Sequence, residues 1–320
     1  MSVYNKIGGG VNKVLIDNKP PTDRLNLTEV EGIIKNRAKL PFKGFANLAR
    51  EGNTFYILAN NKIYKGNPRK NWTEIADIST IFSTGSLLCI EKKDNNSFRI
   101  LIQDNGLKLY EVSNTNITLL KTIEVVWGAT EQYHFIMNNA LYQCYNTGRI
   151  AIYKTNINTG LQTDITNQIL EEGINKGILA RQETESGIRK IIINNKLYII
   201  NLITPITIYE FDGEKIKKIK TLDISGVKCA YLSERMQTKQ NEVYVILSGD
   251  YSSYYKYQTH YLLDKNFNIV DTISTIYTFN EKSYFCIKEN EKYTYITREH
   301  MYDKVYNLVE FPVKAYVRRE

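Results

Sequence analysis

Apolar and polar residues alternate along most of this chain in short runs of period two, the pattern of strands with one face buried. One stretch has such runs at 87–91, 98–103, 107–112 and 117–123, parted by Asp94-Asn95-Asn96, Asp104-Asn105-Gly106 and the residues 114–116. The next repeats the scheme with runs at 133–137, 141–145, 149–154 and 161–165. Its breaks are Asn138-Asn139, Asn146-Thr147-Gly148 and 156–160. Asn and Gly at these breaks supply the positive φ that tight hairpin turns demand. Asn60-Asn61 and Asn194-Asn195 precede Lys62-Ile63-Tyr64 and Lys196-Leu197-Tyr198 in the same manner. No helical period of any length interrupts the strands.

A phrase ending in tyrosine returns through the chain at Tyr64, Tyr110, Tyr153, Tyr209, Tyr261 and Tyr306, about 43–56 residues apart. Each follows a β-branched, leucine or histidine residue, as in Thr207-Ile208-Tyr209. An all-β repeat of that length is one four-stranded blade, which cannot bury both faces alone and stacks on its neighbours. The prediction is therefore all-β, a six-bladed β-propeller of four-stranded blades over residues 41–320. The tyrosines mark corresponding strands and pack between blades. Two sandwiches in tandem would require a break near the middle of the pattern, and none is visible.

Residues 1–40 read differently, as a short N-terminal arm. Gly8-Gly9-Gly10 predicts a flexible start, 11–17 an extended strand, and Pro20-Pro21 a break. Thr28-Glu29-Val30-Glu31 has the form of a capping box, with Leu27, Val30, Ile33 and Ile34 on one face of a short helix. Such an arm either closes the ring or docks onto a neighbouring subunit.

Composition narrows the chemistry. The 320 residues are 42% hydrophobic and 24% charged, as in a folded globular chain. The net charge of +8 is spread along the sequence. Its densest run, Lys215-Ile216-Lys217-Lys218-Ile219-Lys220, fits a solvated edge strand kept from pairing by its lysines. That distribution argues against nucleic-acid binding and suits an anionic polymer such as a cell-wall glycan. Cys89, Cys144, Cys229 and Cys286 form no metal-binding pair and read as buried thiols. His134, His260 and His300 each sit in a strand-like run, outside any nucleophile or metal motif. The carboxylates Glu171, Glu172, Glu183, Glu185, Asp212 and Asp223 show no pattern that singles out a catalytic pair. The reading is of a non-enzymatic protein with no cofactor and no metal.

Two surface segments stand out as contact candidates. The insertion at 249–261 carries Tyr251 and Tyr254 beside serines and a lysine, and aromatic rings with polar tips make good platforms for sugars. The loop 66–72 carries Arg69 and Lys70 ahead of Trp72, which is expected to plug into its blade. The first ten residues lack an apolar core and a cleavage site, and no run reaches membrane-spanning length, which predicts cytoplasmic synthesis without membrane insertion.

Asn60-Asn61-Lys62-Ile63-Tyr64-Lys65-Gly66 followed by Trp72-Thr73-Glu74-Ile75 resembles a kelch-type blade, though without the double glycine of that repeat. The chain as a whole, with Ile7-Gly8-Gly9-Gly10-Val11 ahead of an Asn/Lys/Ile/Tyr-rich propeller, is similar to propeller-containing tail or baseplate proteins of clostridial-type phages and phage-tail-like bacteriocins. That resemblance implies a virion or tail-like particle as the location, with several copies in each. Attachment would run through Ile7, Gly8, Gly9, Gly10, Val11 and Leu15. It implies other tail or baseplate proteins as partners, with a bacterial surface glycan or S-layer protein as the outward target. The alternatives are a hydrolase or lyase acting on cell-wall polysaccharide and an intracellular protein-interaction propeller.

Overall fold

A computed structural model of the chain describes residues 2–7, 10–15, 35–39, 42, 46–52, 54–67, 71–82, 86–114, 116–123, 131–147, 149–169, 177–181, 187–203, 205–224, 227–231, 237–238, 245–249, 258–275, 283–289, 292–298 and 306–312. They divide into two compact units. One is Phe45–Ile224 with Ser233–Gln240; the other is Met1–Gly44 with Ser225–Leu232 and Asn241–Glu320.

In the second unit the chain opens with β1 (Ser2–Ile7) and β2 (Gly10–Leu15), an antiparallel hairpin that forms a two-stranded sheet. The strand expected at 11–17 is thus β2, and Gly10 belongs to it instead of to a flexible link. β3 (Lys35–Lys39) follows, while the helix expected around 27–34 lies outside the described residues.

The first unit contains four antiparallel four-stranded meanders in chain order. They are β4 (Ala46–Glu51), β5 (Thr54–Ala59), β6 (Lys62–Gly66) and β7 (Trp72–Asp77); then β8 (Ser86–Lys92), β9 (Ser97–Gln103), β10 (Leu107–Ser113) and β11 (Ile117–Ile123). After them come β12 (Glu131–Met137), β13 (Ala140–Asn146), β14 (Ile150–Asn156) and β15 (Gln162–Asp164); then β16 (Ile188–Ile193), β17 (Lys196–Asn201), β18 (Ile206–Phe211) and β19 (Ile216–Leu222). Single-turn helices α1 (Ser79–Phe82) and α2 (Gly177–Ala180) lie in the connections. The paired asparagines adopt the two left-handed φ values of a type I′ turn, 51° and 58° at Asn60-Asn61, 52° and 57° at Asn138-Asn139, 48° and 59° at Asn194-Asn195.

β20 (Val227–Tyr231) belongs to the second unit, but the chain then lends β21 (Gln237–Thr238) to the first. β21 pairs in parallel with Ala49-Arg50 of β4 and with Ile192-Ile193 of β16. The second unit resumes with β22 (Val245–Gly249), β23 (Gln258–Leu263) and β24 (Ile269–Thr275), which complete a sheet with β20. β25 (Ser283–Glu289), β26 (Lys292–Arg298) and β27 (Tyr306–Pro312) make the last sheet, and β3 is its fourth strand.

The fold is an all-β propeller of antiparallel four-stranded blades, and each repeating tyrosine occupies the third strand of its sheet, in β6, β10, β14, β18, β23 and β27. The expectation of a six-bladed propeller needs correction in its blade count. One body carries four blades, not six, and two of these share a nine-stranded sheet, because β21 hydrogen-bonds the free edges of β4 and β16 at once.

Alternate residues of each strand fill the spaces between blades. Leu48, Tyr56 and Ile63 meet Phe98, Ile100 and Ile102 between the first and second blades. Cys89, Leu101 and Leu109 meet Ile136, Leu141 and Ile157 between the second and third. Phe135, Tyr142 and Ile152 meet Ile199, Phe211 and Ile216 between the third and fourth. There the Phe135 and Tyr142 rings stack at 4.8 Å and Phe211 stands edge-on to both, at 6.1 and 5.4 Å.

Candidate interaction surface

The fourth strand of each blade ends its sheet or, for β7 and β19, the joined sheet, so its outer backbone edge is the part of the four-blade body most open to pairing. In three blades the third-to-fourth-strand register slips beside the repeating tyrosine. Tyr64 pairs with Glu74 while Ile63 pairs with Ala76, which leaves Ile75 as the extra residue of a bulge. Leu120 is the extra residue where Tyr110 pairs with Leu119 and Leu109 with Lys121. Ile219 is the third, between Lys218 opposite Tyr209 and Lys220 opposite Ile208.

Aligned on this bulge, the residues just before it are Glu74, Leu119 and Lys218. Two blades place an exposed charge there, the usual guard of a free edge. Glu74 accepts from Lys62 at 2.9 Å. β19 carries Lys217, Lys218 and Lys220 and is the edge strand its lysines predict. The second blade has leucine instead. Leu119 is 49% exposed, Leu120 39%, and Leu161, in the turn before β15, 69%. The Lys121 Nζ lies against Gly160, 1.2 Å from where a β-carbon would stand. Gly160 holds φ +74°, so the turn accepts both the lysine and its own backbone course only as glycine.

Several ionisable groups inside the body are held by close partners. Lys92 reaches Glu51 at 2.7 Å and lies 4.8 Å from the Tyr56 ring centroid, and the Tyr56 hydroxyl is pushed up to about 12 by burial and by Glu51. Arg99 bonds Glu91 at 3.2 Å; burial pushes the Glu91 carboxyl up, against the pull of the guanidinium. Burial also acts to raise Glu210, but bonds from Lys217, Lys196 and Tyr198 prevail and hold it low. Lys190, 1% exposed, donates to the carbonyls of Leu179 and Arg181 at 2.8 and 2.6 Å and covers the Tyr133 ring at 3.4 Å. It thereby satisfies carbonyls at the end of α2, which a one-turn helix leaves open. Cys89 and Cys144 are buried free thiols, as expected of them. Among the described residues no group of three His, Cys, Asp or Glu is placed to hold a metal ion, and no helix is long and apolar enough to cross a membrane.

His134 belongs to a buried polar chain running across the third blade. Its Nε2 stands 3.4 Å from the Tyr145 hydroxyl, which also accepts from Gln143 at 2.8 Å. Gln143 in turn accepts from Gln162 at 3.0 Å. Burial lowers the His134 pKa from 6.5 to about 4. The unfolded chain therefore takes up a proton here between those values and the native protein does not, so stability falls as pH is lowered through that window and levels off below it. The loss amounts to about 3 kcal/mol. Glu91, shifted upward, works in the opposite sense, so the comparison is made against His134→Gln. Urea unfolding of the variant should show a flatter pH dependence between 6.5 and 4. Equal slopes for the two proteins would refute the assignment.

Of the residues singled out from the sequence, Tyr251, Tyr254, Arg69, Lys70, Gly8 and Gly9 lie outside the described residues. Trp72 opens β7, half-buried, its ring against Gly66. Ile7 pairs with Gly10, Lys6 with Val11 and Ser2 with Leu15, which gathers Ile7, Gly10, Val11 and Leu15 into one hairpin. The exposed leucines of β11 were not singled out, although their departure from the charged pattern of the other fourth strands is visible once those strands are aligned.

No protein-family model matches the chain, and no curated protein matches it. Among solved structures it is similar to BamB from Moraxella catarrhalis at 10% identity, over 81% of this chain and 67% of that one, with a TM-score of 0.33. It is similar to YCF48 bound to D1 peptide at 6% identity, over 91% and 99%, with a TM-score of 0.41. It is also similar to TolB from Acinetobacter baumannii at 9% identity, over 86% and 64%, with a TM-score of 0.40. The propeller assignment stands on the strand order and register of the chain itself.

Proposed function

We propose that this chain is a non-enzymatic structural and binding propeller of a phage tail or tail-like particle. Its first residues hold it to the particle, in several copies, and its blades face the host surface or a neighbouring tail protein. The observation that carries this reading is the β1–β2 hairpin, which among the described residues is a sheet of two strands. A lone two-stranded hairpin is marginal in water and gains order when something covers it. Docking into a particle supplies that cover through Ile7, Gly10, Val11 and Leu15. Tyr251, Tyr254, Arg69 and Lys70 are the residues assigned to the outward contact, and the net charge of +8 suits an anionic envelope polymer.

Deleting residues 2–15 tests the reading while sparing β3. The expected product is folded, with a thermal midpoint within about 2 °C of the parent, yet missing from purified particles. Particles that incorporate the deletion variant at the parental level would overturn it.

A further inference from the structure

The exposed edge of the second blade has a sequence that reads nearly the same in both directions. β11 is Ile117-Thr118-Leu119-Leu120-Lys121-Thr122-Ile123. Among the described residues it pairs with β10 alone and leaves its other edge open. An antiparallel partner of the same sequence, centred on Leu120, would set Ile117 opposite Ile123, Thr118 opposite Thr122 and Leu119 opposite Lys121. Matched β-branched pairs and threonine pairs are favourable across a ladder, and two-fold symmetry makes each occur twice.

We propose that two copies of this chain associate through their β11 edges, antiparallel, about a two-fold axis at Leu120. This goes beyond the tail assignment and does not depend on it. Three observations select a second copy as the occupant. The palindrome is centred on Leu120, the extra residue of the bulge, so the segments 117–119 and 121–123 flank it symmetrically. The positions guarded by Glu74 and Lys218 in other blades hold the exposed Leu119 here. The charges also agree, because the centred register sets Lys121 opposite leucine and never opposite another lysine. The β19 and β15 edges do not match it. β19 paired with itself about Ile219 would set Lys218 against Lys220, and β15 spans only Gln162–Asp164.

The register gives a test with opposite outcomes from one position. Leu119→Lys places an ammonium opposite Lys121 of the second copy, whereas Leu119→Glu places a carboxylate there. Leu119 is half exposed, so both variants fold, which circular dichroism verifies. Sedimentation of the full chain at concentrations up to on the order of 100 μM suits the micromolar affinity of a single strand pair. The parent should dimerise, Leu119→Lys should raise the dimer dissociation constant at least about tenfold, and Leu119→Glu should stay near the parent. A parent that remains monomeric throughout overturns the proposal, and so does loss, or retention, of dimer in both variants. The measurement uses isolated protein, so its failure leaves the particle-incorporation result standing on its own.

Discussion

Phe211→Ala should cost the four-blade body about 3–5 kcal/mol of unfolding free energy, the range for deleting a fully buried phenylalanine. The side chain has no exposure and stands edge-on to both the Phe135 and Tyr142 rings. It comes from β18 and they come from β12 and β13, so the cavity would open between two blades and not inside one. Collapse around it is restrained from both sides. Tyr142 stacks on Phe135, and the Tyr142 hydroxyl reaches the carbonyl of Gly213 at 3.4 Å. Gly213, at φ +103°, has no room for a side chain, since a β-carbon would come within 2.8 Å of that hydroxyl. Urea unfolding monitored by circular dichroism gives the number. A loss below about 1 kcal/mol would mean that the blades slide to fill the gap and that their packing is less fixed than the ring geometry requires.

A chain that starts at residue 41 should lose much more than one that starts at residue 35. The first lacks β3 and the second keeps it. β3 pairs with β27 through Lys39 with Asn307, Ala38 with Leu308 and Lys35 with Glu310. At about 1 kcal/mol for each ladder hydrogen bond, losing this pairing removes on the order of a few kcal/mol from the sheet. It also turns Tyr306–Pro312 into an open apolar edge prone to association. Amide hydrogen exchange reports both effects, with faster exchange at 307–310 in the shorter chain and parental rates in the longer one. Identical exchange in the two chains would remove β3 from any closing role and return the whole N-terminal segment to attachment.

The blades were legible in the sequence because each strand announces itself twice, by its alternation and by the Asn or Gly that ends it. The left-handed φ values of Asn138 and Asn139 are the physical form of that signal. The third-strand tyrosines were legible for a related reason, since each sits at an equivalent point of a repeated unit. β3 was not, because Lys35-Asn36-Arg37-Ala38-Lys39 is polar, as an edge strand is, and a polar strand looks like a loop. β21 was still harder to see. It is two residues long, has no period to read, and is specified by the two edges it meets. The division into two units left no trace in the alternation. Lys190 shows a further limit, since a lysine in a strand reads as solvated until the carbonyls that bind it are brought near by the fold.

The pairing of β3 with β27 also fixes an order of events during synthesis. β3 is made before the four blades of the first unit, but its partner includes Asn307, made after them. The blades from β4 to β19 meet neighbours made just before them and can assemble as they emerge, whereas β3 must wait until β27 has been made. A strand left waiting with an open edge is at risk of capture by other chains. Three basic residues in five, Lys35, Arg37 and Lys39, keep this one hydrated and repelled from its own kind until the last sheet exists to receive it. The polarity that hides β3 from a reader of the sequence is what lets the nascent chain hold it in reserve.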